Sequence, residues 1–432
     1  MIDEYDLLTQ RDCVFCFLYI RKFGEIKADN MNVTVNGKSL GGAVRAIASK
    51  SMAHRLLICA ALSEGHSQIR CETLSDDIMA TARCLRALGC DITYTGGVFY
   101  VSGAERPERA TLDCAESGST LRFLLPVVAA LGITGRFELS GRLPARPLSP
   151  LYEELSANGV EISPQGESPL IMKGKLRGGI YTLRADVSSQ FISGLLFALP
   201  LCEEDSRIIL TGKRESASYI EMTLSALRSF GIKITATSDG YTVPGKQKYR
   251  SLANATVEGD WSNAAFWLAA AALGAPVSVT GLDSESLQGD RRVTEALSVI
   301  TGKGAKAMID AEDIPDLVPI LSVVAAVQKK PTIIYNAKRL RLKESDRLAT
   351  TSALLRAIGA TVTVTEDGLR IKGDPSALHG ATVDAYGDHR IAMAAAIASV
   401  VAGDITILGA DAVNKSYPSF FEDFRRLGGS VR

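Results

Sequence analysis

A net charge, a long apolar run and any metal-binding spacing are all missing from this 432-residue chain. Lys plus Arg equals Asp plus Glu at 48 each, so no overall basic field exists to draw in DNA, RNA or an anionic membrane. Any anion site must be local. Apolar stretches such as 264–273 and 391–401 stop short of the roughly 20 residues that a bilayer crossing takes, and read as buried helices. The four histidines, His54, His66, His379 and His389, show no H-x-x-x-H or H-E-x-x-H spacing. Only Cys13 and Cys16 of the eight cysteines form a C-x-x-C pair, and no second pair or nearby His completes a zinc tetrad. A metal is therefore not expected. Single cysteines inside apolar runs, such as Cys59, suit a reducing cytoplasm. Neither a P-loop nor a G-x-G-x-x-G after a strand is present, so no nucleotide or other cofactor is expected.

With 46% hydrophobic and 22% charged residues, the composition is that of a folded globular protein, and the length exceeds what one core supports. Two large lobes are expected. Residues 1–30 stand apart, with a short apolar run, Val14–Ile20, between charged clusters and no small-residue cleavage signal. They read as a loose or translated extension, with Met31 as a natural start before the alternating strand Asn32–Val35.

One phrase recurs along the chain: a helix end, a Gly, then a short strand. It appears at Leu85–Ile92, Leu155–Ile162, Leu227–Ile234, Leu355–Val362 and Phe424–Val431, and more weakly around Gly304. Six units of about 70 residues are implied, each large enough to be an α/β subdomain. The Gly ends the helix with a left-handed residue and turns the chain into the strand. Between these marks lie helices that are apolar nearly all round, at 121–131, 264–273 and 390–401, which must be buried on most faces. The polar, aperiodic stretch 245–258 reads as a crossover between three units and three. The expected division is a loose 1–30, one lobe from 31–47 plus 258–432, and another from 48–257.

The apolar helices have polar, cationic starts. Lys50-Ser51 opens one helix, with Arg55 a turn later on the same face. Ser117-Gly118-Ser119-Thr120 opens another with Arg122 in its first turn, Ser188-Ser189-Gln190 a third, and Gly387-Asp388-His389-Arg390 a fourth. A helix start favours an anion and disfavours a cation, unless a bound anion lies between them. For any single helix, ordinary Ser caps beside solvated charges are the better explanation of the pattern. Four repetitions favour one shared anionic ligand. A second constellation, Arg339–Arg347, sets Lys343 and Arg347 four apart with Glu344 between them, so two cations and a carboxylate could reach one cleft. Asp316 looks first like a helix N-cap, and as a carboxylate at the mouth of a buried helix it could equally serve as a general base. Lys415, after the strand 405–408, is either a surface lysine or a cation at the cleft rim.

In their order these motifs, with Arg146-Pro147, resemble the 5-enolpyruvylshikimate-3-phosphate synthase family of enolpyruvyl transferases over about 31–432. The resemblance implies an α/β fold of two similar lobes, each of three βαβαββ units wrapped around buried helices as an inside-out α/β barrel. It implies transfer of the enolpyruvyl group of phosphoenolpyruvate to the 5-hydroxyl of shikimate 3-phosphate, through a tetrahedral intermediate, in a cytoplasmic monomer without cofactor. By motif, Lys50, Ser51, Arg55, Ser188, Ser189, Gln190, Ser216, Tyr219, Asp316 and Lys343 would hold shikimate 3-phosphate. Lys50, Gly118, Arg122, Arg146, Gln190, Arg347, Arg390 and Lys415 would hold phosphoenolpyruvate. Asp316 and Glu344 would be the catalytic carboxylates, with Lys50, Lys343 and His389 beside them. Gly118 implies inhibition by glyphosate. The chain departs from the common family pattern at Glu116, where Asn is frequent, at Ser119, where Thr is frequent, and at Arg339, where Asn is often seen.

Two alternatives stand beside this one. The UDP-N-acetylglucosamine enolpyruvyl transferases typically carry a Cys in the loop that reads Gly141–Arg146 here, and lack the Ser-Ser-Gln triplet in this form. A non-catalytic repeat scaffold would have no need of Asp316 and Glu344 beside the cations.

Overall fold

The computed structural model describes residues 31–103, 105–213 and 216–432, so the extension and its C-x-x-C pair lie outside the described residues. The repeated unit is clearest between Arg109 and Gly174. Strand Arg109–Asp113, helix Gly118–Ala130, strand Thr134–Glu138 and helix Leu151–Ala157 are followed by strands Val160–Ile162 and Leu170–Gly174. The first two strands pair in parallel, Arg109 opposite Thr134, as a helical crossover requires, and the last two pair antiparallel. The same βαβαββ order recurs over 180–243 and 307–372, each folding into a four-stranded sheet.

The other sheets borrow strands from distant parts of the chain. Val33–Asn36 inserts between Ile405–Leu408 and Ser430–Val431, while Gly42–Arg45 pairs with Val277–Thr280. Ala255–Thr256 completes the sheet that begins with His66–Arg70.

The recurrent Gly behaves as its position demands. Gly89, Gly159, Gly231, Gly359 and Gly428 all have φ between +80° and +99°. Close approach adds a second constraint, because a Cβ at Gly89 would sit 2.3 Å from the Glu105 carbonyl oxygen and one at Gly359 would sit 2.2 Å from that of Ala377.

Buried apolar side chains form two clusters. One draws on residues between Ala53 and Val257, the other on Val33–Val44 together with residues between Trp261 and Leu427. At the centre of each lie helices buried on every face. All of Val318–Ala326 is buried, as is Gly118–Ala130 apart from Ser119. The chain passes between the clusters twice, side by side: Ser49 N–H donates to the Glu258 carbonyl and Asp260 N–H to that of Ile47, both at 2.8 Å. Among the described residues no helix is long and apolar enough to cross a membrane.

Candidate active site

A cleft between the two clusters receives the starts of the internal helices, so the polar openings seen in sequence face one another. Its walls include Lys50, Ser51 and Arg55 from one helix, Gly118, Ser119 and Arg122 from a second, and Ser188, Ser189 and Gln190 from a third. From the other cluster come Asp316, Lys343, Glu344, Arg347, His389 and Arg390, with Arg146, Ser216, Tyr219 and Arg339 at the seam.

The serines divide by role. Ser49, Ser117 and Ser188 cap their helices by accepting from the backbone N–H of Met52, Thr120 and Gln190, and Asp388 does the same for Arg390. The plain capping explanation thus holds for those four. Ser51, Ser119 and Ser189 sit inside the helices, on the cleft.

Cations crowd the first-cluster side. Arg122 donates to Gln190 Oε1 at 2.8 Å and to the Pro147 carbonyl at 3.1 Å, while Gln190 donates to Ser119 Oγ at 2.9 Å. Gly118 makes room for this arrangement, since a Cβ there would meet Arg146 Nη1 at 2.7 Å and Arg122 Nη1 at 3.0 Å. Burial, and then the neighbouring Arg146 charge, hold the Arg122 guanidinium well below its usual range. Among the described residues Arg146 pairs with one carboxylate, Glu344, at 3.9 Å. Among the described residues, no hydrogen-bond acceptor meets the buried Nε atoms of Arg122, Arg146 and Arg390. Two adjacent buried guanidiniums with spare donors form a receptor for a compact anion. Lys50 extends the patch and is anchored by Asp77 at 2.7 Å.

Carboxylates gather on the opposite side around Arg347, whose side chain is fully enclosed. It reaches Asp388 at 2.8 Å, and Asp316 and Glu344 at 2.6 Å each. Asp316 also meets Arg390 at 3.2 Å and Lys343 at 3.4 Å. Burial pushes both acids up, but the surrounding charges outweigh it: Arg390, Lys343 and Arg347 hold Asp316 well below the usual carboxylate range, and Arg347 and Arg146 hold Glu344 there. Both are therefore ionised acceptors. Burial, followed by the charges of Lys50 and Arg390, depresses His389 well below the usual imidazole range, so it is neutral. Burial likewise lowers Lys343.

Two expectations change. Asp316 does not cap a helix: it lies in the 3₁₀ turn Pro315–Leu317 and makes no side-chain cap, because its carboxylate is turned into the cation cluster. Lys415 does not line the cleft. Its ammonium is taken by the carboxylate of Glu116, one of the three positions where the chain departs from the common pattern, and by the Gly387 carbonyl at 3.0 Å. Every other anticipated residue borders the cleft. Sequence reading missed Asp77, Asp260 and Asn263 on the wall. Asp77 follows the cap Ser75 and Asp260 is itself a cap, so each looks like ordinary helix-start chemistry until the fold brings Lys50 to both. Arg339, the third departure, donates to Ser216 Oγ at 2.7 Å, where Ser216 holds a left-handed φ of +54°.

The chain matches the family model of EPSP synthase (3-phosphoshikimate 1-carboxyvinyltransferase) over residues 34–424. It is 41% identical over 418 residues to a 3-phosphoshikimate 1-carboxyvinyltransferase of Clostridium kluyveri, covering 92% of this chain and 98% of that one. A protein of the same name from Clostridioides difficile is 41% identical over 421 residues, covering 91% and 96%. Among solved structures, EPSP synthase of Acinetobacter baumannii superposes with a TM-score of 0.75 at 24% identity, over 93% of this chain and all of that one. The enolpyruvyl transferase NikO of Streptomyces tendae superposes with a TM-score of 0.70 at 18% identity, over 93% and 98%, which is a likeness of fold.

Proposed function

The chain belongs to the EPSP synthase family, and from that membership we propose how its own residues divide the reaction. The enzyme moves the enolpyruvyl group of phosphoenolpyruvate to the 5-hydroxyl of shikimate 3-phosphate and releases phosphate, on the route to chorismate. One observation carries the proposal: an under-neutralised pair of buried guanidiniums, Arg122 and Arg146, faces two ionised carboxylates, Asp316 and Glu344, across a single cleft.

Shikimate 3-phosphate lies on the Ser side, held by Ser51, Arg55, Ser188, Ser189, Gln190, Ser216 and Tyr219, with Lys50, Lys343 and Asp316 at its reacting edge. Phosphoenolpyruvate lies over Gly118, between Arg122, Arg146, Lys50 and Gln190 from one side and Arg347 and Arg390 from the other. Lys415 joins only after releasing Glu116. Each charged hydrogen bond contributes roughly 1.5–3 kcal/mol, and the pre-assembled donors need no reorganisation as charge shifts.

Addition requires the 5-hydroxyl to lose a proton as its oxygen attacks C2, while C3 gains one. Elimination then removes a C3 proton as phosphate leaves. Asp316 takes the hydroxyl proton, and Glu344 or Lys50 exchanges protons at C3. Both carboxylates are weak bases while Arg347, Arg390 and Lys343 surround Asp316, and Arg347 and Arg146 surround Glu344, with no substrate between them. Incoming phosphate and carboxylate groups share those guanidiniums and add negative charge nearby, which raises the basicity of Asp316 and Glu344 when substrate is present. Contacts across the cleft already exist between the two sides, Arg339 to Ser216 and Lys213 to Glu312 at 2.5 Å among them, so closure would bury the reacting atoms away from water. The enzyme works as a monomer in the cytoplasm, and light scattering on the purified protein checks the first part.

Phosphate release by Asp316→Asn and Glu344→Gln tests the assignment. Each should keep its substrate affinity within a few fold and lose about 10²–10⁴ in kcat. Normal turnover by both variants would remove Asp316 and Glu344 from the proton transfers.

A further inference from the structure

Behind the cleft wall one phenol stands between two carboxylates. Tyr219 Oη lies 3.4 Å from Asp316 Oδ2 and 3.5 Å from Asp290 Oδ2. Asp290 belongs to the 3₁₀ turn Gly289–Arg292, is 1% exposed, and does not border the cleft itself. Among the described residues its other oxygen, Oδ1, makes no well-formed hydrogen bond, the Ser262 hydroxyl being the neighbouring donor.

The two acids are unlike. Asp316 is ringed by Arg347, Arg390 and Lys343, whereas among the described residues Asp290 takes part in no ion pair. The cations of its own turn point elsewhere: Arg291 donates to the Ser284 carbonyl, and Arg292 pairs with Glu295 and Asp313. The groups facing Asp290 from its surroundings are Tyr219, Asp316, Arg390, Ser262 and Asp260. A buried carboxylate that no cation contacts as an ion pair gains by taking a proton. A phenol that touches both acids can accept a proton from one and give its own to the other.

We propose that Asp290 is a positioning residue that draws off, through Tyr219, the proton that Asp316 takes from the substrate hydroxyl. The inference rests on the reading of Asp316 as the base. In the transfer, protonated Asp316 Oδ2 donates its proton to Tyr219 Oη as Tyr219 passes its phenolic proton to Asp290 Oδ2. The phenol is unchanged, Asp316 is again a carboxylate, Asp290 is neutral, and one proton has moved from the substrate oxygen to the buried acid. The order of basicity favours this direction. Burial, reinforced by the Asp316 charge, pushes Asp290 up to about 7, while Asp316 is held well below its usual range. Asp316 is thereby returned to its ionised form. As phosphate leaves, the same transfers run in reverse, from Asp290 through Tyr219 and Asp316 to a departing phosphate oxygen, so that Asp290 is ionised again for the next turnover. The long contacts at Tyr219 are free to tighten as the cleft closes.

The relay needs Asp290 ionised, so kcat should fall as pH drops through about 7. Substrate phosphates titrate near 6 as well, so the test compares wild type with Asp290→Asn across pH 5.5–8.5 in buffers matched for ionic strength. The variant should lose the limb near 7 and turn over about tenfold more slowly on its plateau, with KM within a few fold. Tyr219→Phe should remove the same limb, and the double variant should be no slower than the slower single one. Should Asp290→Asn fail to fold, Tyr219→Phe alone carries the test, since it cuts the same chain and leaves Asp290 in place. A limb near 7 that survives in either soluble variant, or additive losses in the double one, overturns the relay. Absence of phosphate release in the wild type would instead strike at the reading of the site as a whole.

Discussion

Arg347 is the residue on which the acidic half of the cleft turns. Replacing it with Met keeps the length of the side chain and removes the one guanidinium shared by Asp316, Glu344 and Asp388. Breaking a buried pair from one side costs about 3–5 kcal/mol, because the partner charge stays behind without compensation. At roughly 2–4 °C per kcal/mol for bodies of this size, the melting temperature should fall by about 6–20 °C. The pH dependence gives the sharper signature. In the wild type, Asp316 and Glu344 have folded pKa values depressed below their unfolded ones, so their contribution to stability is present above the unfolded values and is lost as pH falls through the folded ones. Without Arg347 the opposing effect of burial gains weight, and protonation then relieves an unpaired charge. The gap between wild type and variant should therefore be widest near pH 7 and should narrow towards pH 4. Calorimetric melts between pH 4 and 8 measure it. A loss under 1 kcal/mol, or a gap that does not change with pH, would refute the claim that Arg347 holds these carboxylates ionised.

Glu116→Gln should free Lys415 for the cleft and lower KM for phosphoenolpyruvate about threefold to tenfold, as read from initial rates; an unchanged KM would mean that the Glu116 contact is incidental. Gly118→Ala places a methyl 2.7 Å from Arg146 Nη1 and must displace that arm. KM for phosphoenolpyruvate should rise by about tenfold or more with kcat less affected, and inhibition by glyphosate should weaken in step; equal KM values would show that the arginine arms move aside freely. Asp77→Asn removes the anchor of Lys50, 2.7 Å away, and should reduce kcat/KM by about tenfold while leaving the melting temperature within a few degrees; unaltered kinetics would remove Lys50 from the reacting edge.

The repeat was legible because Gly at a helix end has a mechanical cause that sequence displays directly. The same phrase that marks Gly89 and Gly359 in the chain marks a left-handed turn in the fold. Internal helices were legible too, since a segment such as Val318–Ala326 has no polar face to leave in water. The site was half legible. Cations at apolar helix starts announce an anion, but three of those starts are also capped by serine, so no single helix decides the matter. The roles of Asp77, Asp290 and Glu116 depend on partners 27, 71 and 299 positions away, and no local pattern carries that information. Asp316 read as a cap for the same reason: helix-start position is visible locally, whereas the three cations around its carboxylate are not.

The central claim is that this cleft joins phosphoenolpyruvate to shikimate 3-phosphate, with cations for the anions and carboxylates for the protons. It is tested most directly by phosphate release from phosphoenolpyruvate by the purified protein, with shikimate 3-phosphate in one reaction and UDP-N-acetylglucosamine in another. Release with the first and none with the second is the predicted result. Release with neither, or only with the nucleotide sugar, would contradict the account.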